Sequence, residues 1–320
     1  MDMKNESGFQ TKPRKKVKFD PRNLIILAMG ISLAVLGVKT SELDKALTED
    51  EEYISAEASR VFEYYGEKDV INLADPTYGD TWLAALSDVP RHEMDFENVR
   101  LENGFKNYYI DGVKANTTGI DVSYHQGDID WEAVKADGVD FAMLRLGYRG
   151  YESGQINVDE RFHEYADGAL GAGLDIGVYF YSQAVTPEEA VEEAEAVLNE
   201  IGDYEIMYPV VFDWEIVGDE SARTNVVSAD VLNECAAAFC NRIARGGHIP
   251  MVYSVKKMAL TKFDMSRLAG FDFWLAEYRD IPEYPYYFTM WQYASDGHVN
   301  GIEGEVDLNM SLVDYSEVKR

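Results

Sequence analysis

Two acids separated by one tryptophan, Asp213 and Glu215, end the run YPVVFDWE at residues 208–215. The apolar, β-branched residues before them read as a buried strand. Side chains two apart on a strand share a face, so both carboxyls project together, their Cα atoms about 6.5–7 Å apart. They also sit where the apolar run stops. Acids at the mouth of a buried strand are costly unless paired or used. Ion pairing with a nearby Arg or Lys would satisfy them; proton transfer would use them.

The elements that must position this pair are regular from Gly119 onward. Strand-like runs occur at 119–123, 141–148, 175–182, 208–215, 249–255, 271–278, 286–293 and 306–312. Helical text separates the earlier ones, as in PEEAVEEAEAVLNEIG and VSADVLNECAAAFCNRIARGG. Pro187 followed by Glu188 and Glu189 is a helix start, and Gly171, Gly202 and Gly246 are stops. Alternating strands and helices imply parallel βαβ units. Eight strands in about 200 residues predict an α/β fold, a (β/α)8-type barrel with its site at the C-terminal strand ends. Little helix lies between the last three strands, so the barrel is expected to be irregular there. An open doubly wound sheet is disfavoured because no glycine-rich phosphate turn follows the first strand.

On that architecture the strand ends collect acids and aromatics. They are Asp121, Tyr124, His125 and Gln126; Arg145 and Tyr148; Tyr179, Tyr181 and Gln183; Asp213 and Glu215; and Tyr253. The later strands add Trp274, Glu277 and Tyr278, then Trp291, Gln292 and Tyr293, then Asp307. Aromatic faces and carboxylates together are the lining of a carbohydrate cleft.

Composition narrows the class. The 320 residues are 46% hydrophobic and 12% aromatic, enough for a large core. The formal net charge is −29, yet residues 1–23 hold seven basic and three acidic residues, leaving 22 basic against 55 acidic beyond them. So acidic a body repels phosphate backbones and argues against nucleic acid. The five histidines are scattered without paired zinc spacing, and no metal or cofactor is implied. Cys235 and Cys240, five apart on helical text, diverge by about 140° and read as core residues rather than a disulfide.

The basic flank precedes the uncharged run LIILAMGISLAVLGV at 24–38, the pattern of a secretory signal or signal-anchor. The poor cleavage site Val35-Leu36-Gly37 favours a retained anchor over a cleaved signal and a secreted protein. Its orientation would leave 1–23 cytoplasmic and the rest outside. Residues 39–116 are expected to be an acidic, extracytoplasmic stalk or spacer. Within it NGFKNYYIDGVKAN, 103–116, predicts a hairpin turning at Asp111-Gly112. The barrel is assigned to 117–320, as a monomer.

Five separated motifs carry a further resemblance: GIDVSYHQGDIDWEAVKADGVDFAMLRLGYRG, DIGVYFYSQA, YPVVFDWE, FWLAEY and WQYASDGHVNGIEGEVDLN. In this order, over about 117–315, the chain resembles the glycoside hydrolase family 25 lysozymes (N-acetylmuramidases). The resemblance implies hydrolysis of the β-1,4 bond between N-acetylmuramic acid and N-acetylglucosamine in peptidoglycan. It places the D-x-E motif on Asp213 and Glu215, with Glu215 as general acid, and the other catalytic acids on Asp121 and Asp307. Because Asp213 and Glu215 leave one strand on one face, they cannot easily flank a sugar from opposite sides. Either Asp213 orients the substrate's own N-acetyl group as nucleophile, the favoured scheme, or Asp121 or Asp307 activates water across the mouth. A non-catalytic wall-binding module, or a hydrolase of another β-linked glycan such as chitin, are the rival readings.

Overall fold

The structure, a computed structural model, describes residues 70–75, 79–202 and 204–318. The basic tail, the apolar run 24–38 and the acidic text up to residue 69 lie outside the described residues. Among the described residues no helix is long and apolar enough to cross a membrane. The chain divides into two compact units, Met1–Leu86 and Ser87–Arg320. In the first, β1 (Val70–Asp75) and β2 (Gly79–Ala84) form an antiparallel hairpin with Ile71 and Leu73 buried.

The second unit opens with a meander of β3 (Val99–Glu102), β4 (Phe105–Ile110) and β5 (Val113–Lys114). Its turns place Asn103 and Gly104 at φ 54° and 85°, and Asp111 and Gly112 at 52° and 80°. Two-residue hairpins that match strand twist need both residues left-handed, which Asn, Asp and Gly tolerate best. The hairpin expected at Asp111-Gly112 is present, and the Asn103-Gly104 turn adds a strand before it. The meander packs on the barrel: the Lys106 N–H donates to the Tyr293 hydroxyl at 3.2 Å.

The barrel strands are β6 (Thr117–Val122), β7 (Phe141–Arg149), β9 (Asp175–Ser182), β10 (Ile206–Trp214), β11 (Pro250–Val255), β12 (Asp272–Ala276), β13 (Met290–Gly297) and β14 (Val306–Ser311). They close in chain order, with β8 (Ile156–Val158) added to β7 as a short hairpin arm. Neighbours from β6 round to β13 run parallel, while β14 is antiparallel to both β13 and β6. The expected irregularity is therefore a reversed last strand. A parallel return needs a crossover of about a dozen residues or more; the short link between β13 and β14 allows only a hairpin. Reversal brings the start of β14 to the mouth, so that Asp307 pairs in register with Asp121.

Helices α1 (Trp131–Ala136), α2 (Phe162–Gly171), α3 (Pro187–Glu200), α4 (Ala229–Arg245), α5 (Lys256–Thr261) and α6 (Met265–Leu268) link the parallel strands. Thr186 caps α3 by accepting from the Glu189 N–H, and Ser228 caps α4 through the Val231 N–H. Cys235 and Cys240 are buried free thiols of α4, as expected.

Aromatic side chains fill the barrel floor. Phe141 stacks on Tyr208 with centroids 4.1 Å apart, and Tyr208 meets Tyr315 edge-on at 5.3 Å. Gly119 admits this plug, since a Cβ there would lie 2.2 Å from the Phe141 ring. Gly119→Ala is expected to destabilise by about 1–3 kcal/mol through overpacking. Urea unfolding checks it; an unchanged midpoint would show that the ring moves aside freely.

Candidate active site

The site grows from β10. Val210, Val211 and Phe212 are wholly buried, the pattern of a parallel strand covered on both faces. Past them Asp213 turns into the barrel. Trp214 points the other way, where its Nε1 donates to the Ala184 carbonyl at 3.3 Å. Glu215 leaves the strand beside Asp213, and its backbone is held. Gln183 Nε2 donates to the Glu215 carbonyl at 3.1 Å, while Thr224 Oγ1 donates to Gln183 Oε1 at 2.9 Å. Gln183, read from the sequence as a strand-end residue, is fully buried and acts as this brace.

Asp121 lies at the end of β6. Its Oδ2 accepts from Gln292 Nε2 at 2.9 Å and from Asn309 Nδ2 at 2.7 Å. Gln292 Oε1 in turn accepts from the hydroxyls of Tyr253 and Tyr278, each at 2.9 Å. Trp274 Nε1 donates to Asn309 Oδ1 at 2.9 Å. Two strands thus donate to this carboxylate directly, and Tyr253, Tyr278 and Trp274 hold the two donors in place. Asn309 was not singled out in the sequence, although it lies two residues past Asp307 and so on the same face of β14.

The barrel mouth holds a cleft of about 250 Å³. Asp121, Asp213, Glu215 and Asp307 are all in it, with Arg145, Tyr179, Tyr181, Tyr253, Trp274, Tyr278 and Gln292. Ser123 and the exposed His125 also reach it.

The other expected substrate residues lie elsewhere. Tyr124 and Tyr148 flank the Arg145 guanidinium, with ring centroids 4.9 and 5.6 Å away, and Gln126 Oε1 accepts from the Ser123 N–H in a capping box. Trp291 and Tyr293 alternate with Gln292 and therefore face out of the barrel. Trp291 Nε1 donates to the Glu277 carbonyl at 2.9 Å, and Tyr293 receives the meander. Glu277 is buried 3.2 Å from the Lys256 ammonium, and accepts from the N–H groups of Glu283 and Tyr284. That ties down the loop carrying Tyr278.

Four carboxyls share the cleft with one guanidinium, and Arg145 is already paired with Asp159 at 2.7 Å. Proton affinity rises accordingly. Burial lifts Asp121 to about 6 against the donors Asn309, Gln292 and Asp307. Burial and the Asp121 charge lift Asp307 to about 8. Burial, then the charges of Glu215 and Asp121, push Asp213 well above the carboxylate range. Glu215 is raised by burial and by Asp121. Among the described residues the buried Asp213 Oδ1 finds no hydrogen-bond partner, which is rare for a native acceptor.

Stability must follow. The unfolded chain releases these protons near pH 4, the folded chain at about 6 for Asp121 and about 8 for Asp307. Unfolding in that window releases protons, so stability falls as pH rises from about 4 to about 8. Asp307→Asn removes part of this cost and is expected to raise Tm by about 2–4 °C at pH 8 and by less at pH 5. Calorimetry at both pH values checks it; an equal shift at both would contradict it.

An eight-stranded barrel with acids and aromatics gathered at one mouth is the arrangement of a glycoside-hydrolase type of protein. Residues 120–302 match the family described as Glycosyl hydrolases family 25, and the chain belongs to that family. It is 28% identical over 192 residues to the "Autolytic lysozyme" of Clostridium acetobutylicum, covering 60% of this chain and 54% of that protein. It is 26% identical to "Lysozyme M1" of Streptomyces globisporus, covering 60% of this chain and 66% of that one. The match therefore spans between half and two thirds of these relatives. Among solved structures, the modular autolysin LytC from Streptococcus pneumoniae superposes with a TM-score of 0.54 at 22% identity, covering 76% of this chain and 56% of that one. A family 25 glycosyl hydrolase from Bacillus anthracis gives 0.52 at 21% identity, over 65% and 93%. At these identities the structures bear on the fold.

Proposed function

We propose that the protein is a peptidoglycan hydrolase of the lysozyme type, cutting the β-1,4 bond from N-acetylmuramic acid to N-acetylglucosamine. Family membership and the two named lysozymes support the class. The observation that carries the mechanism is the unpartnered, buried Asp213 Oδ1 beside Glu215.

The coupled pair retains a proton that burial makes hard to lose. When the N–H of the sugar's 2-acetamido group donates to Asp213, the ionised form of Asp213 is favoured and the proton moves to Glu215. Glu215 then protonates the glycosidic oxygen as the C1–O bond breaks. The acetamido carbonyl oxygen, made more nucleophilic by Asp213, attacks C1 from within the sugar and forms an oxazolinium ring. Asp121, held by donors from two other strands, faces the positive charge electrostatically. Glu215, now ionised, takes a proton from water as it opens the ring, so that the anomeric configuration is retained. In this reading catalysis takes place outside the cytoplasmic membrane, where peptidoglycan lies. The basic flank and the apolar run 24–38 support a tether to that membrane.

Digestion of purified peptidoglycan, followed by borohydride reduction and mass spectrometry, tests the reading. Muramitol ends are expected. Glucosaminitol ends would move the cut to the other bond. Reducing ends from chitin alone would make it a different glycan hydrolase, and no new ends on any wall would favour a binding module.

A further inference from the structure

A second, larger hollow of about 640 Å³ lies outside the barrel wall, between the meander and the upper part of β13. Gly104 and Lys106 form one side, Ser295 and Asp296 the other, and Tyr278 and Asp280 the end. Its volume falls within the range of small-molecule sites, about 300–1,000 Å³. The meander wall, 99–114, precedes the family match, which starts at residue 120. Tyr278 lines both this hollow and the catalytic cleft.

The cations of the hollow are already engaged. The Lys106 ammonium donates to the carbonyls of Arg279 and Asp280 at 2.6 and 3.3 Å, and lies over the Trp291 and Tyr293 rings at 4.8 and 5.4 Å. The Arg279 guanidinium pairs with Glu283 and lies 3.9 Å from Glu277. Besides the exposed Asp280 carboxylate, which lies 3.7 Å from the Lys106 ammonium, what faces solvent is an acceptor pair, Ser295 and Asp296, next to the half-exposed Tyr278 ring. The hydroxyl of that ring is fixed on Gln292 while its body stays accessible. Acceptors beside an aromatic face suit an uncharged ligand rich in hydroxyl and amide N–H donors. They repel carboxylates, and so disfavour an anionic stem peptide.

We propose that this hollow is a saccharide subsite, holding the stretch of N-acetylated glycan that leaves the cleft over Tyr278. The proposal rests on the glycan-cleaving reading and adds a subsite built by a segment outside the family match. The meander thereby lengthens the stretch of glycan that the enzyme grips.

The test uses the full chain carrying Glu215→Gln, so that substrate is bound and not consumed. Calorimetry compares peptide-free peptidoglycan strands of four and eight sugars whose lactyl carboxyls, one on each muramic acid, are amidated so that the ligand is uncharged. The longer strand is expected to bind about tenfold more tightly or better. Adding Ser295→Trp, which fills the hollow from an exposed position, or Asp280→Ala with Asp296→Ala, is expected to erase that advantage. Equal binding of both lengths, no binding of either, or an advantage that survives Ser295→Trp overturns the proposal. So does an advantage seen only on strands that keep their stem peptides, which would make the hollow a peptide site. Turnover of the same strands by the wild-type chain is a separate readout: binding without cleavage would sink the muramidase reading and leave the subsite standing.

Discussion

Glu215→Gln is expected to lower kcat on peptidoglycan by about 10³-fold or more while leaving glycan affinity within a few-fold. Glutamine keeps the shape and the backbone contact from Gln183, but has no proton of suitable acidity to give the leaving oxygen. Initial-rate assays with a parallel binding measurement separate the two effects. Near-native turnover would show that another carboxyl is the acid. The wild-type pH profile bears on the same assignment. Glu215 and Asp213 are both raised by burial, so the protonated pair persists above the ordinary carboxylate range. The alkaline limb of kcat/KM is expected there, and activity falls once the last proton leaves.

Asp213→Asn is expected to cost about 10²-fold or more in kcat, with a smaller change in KM. The amide presents a donor or a neutral acceptor where the acetamido N–H needs an anionic one. The wild-type product, read by NMR at early times, is expected to keep the β-anomeric configuration. Glycan lacking the N-acetyl group on the reacting sugar is expected to be cut poorly. An initially inverted product would remove the internal nucleophile and assign water activation to Asp121 or Asp307.

Much of this site was legible because buried parallel strands write themselves as near-continuous apolar runs. The parallel barrel strands, and the emergence of Asp213 and Glu215 at one strand end, follow from that pattern, whereas the reversal of β14 does not. What escaped was orientation. With Gln292 turned inward, alternation sends Trp291 and Tyr293 outward, and grouping all three as a lining ignored the period of two. Tyr124 and Gln126 belong to a short 3-10 turn whose direction no strand pattern gives. Gln183 and Asn309 are neutral amides, without the charge or aromatic bulk that marks a site in one sequence. Their roles come from partners far along the chain, as in the contact of Asn309 with Asp121, 188 residues away.

The reversed seam also bears on when the protein becomes competent. The first and last barrel strands are neighbours, so the ring stays open until synthesis has passed β14. Two of the donors that fix Asp121 come from β13 and β14. Such long-range closure is slow. A nascent or clipped chain lacking the last strand therefore holds its acids in a half-built mouth, and the cleft is completed only after synthesis has passed residue 309.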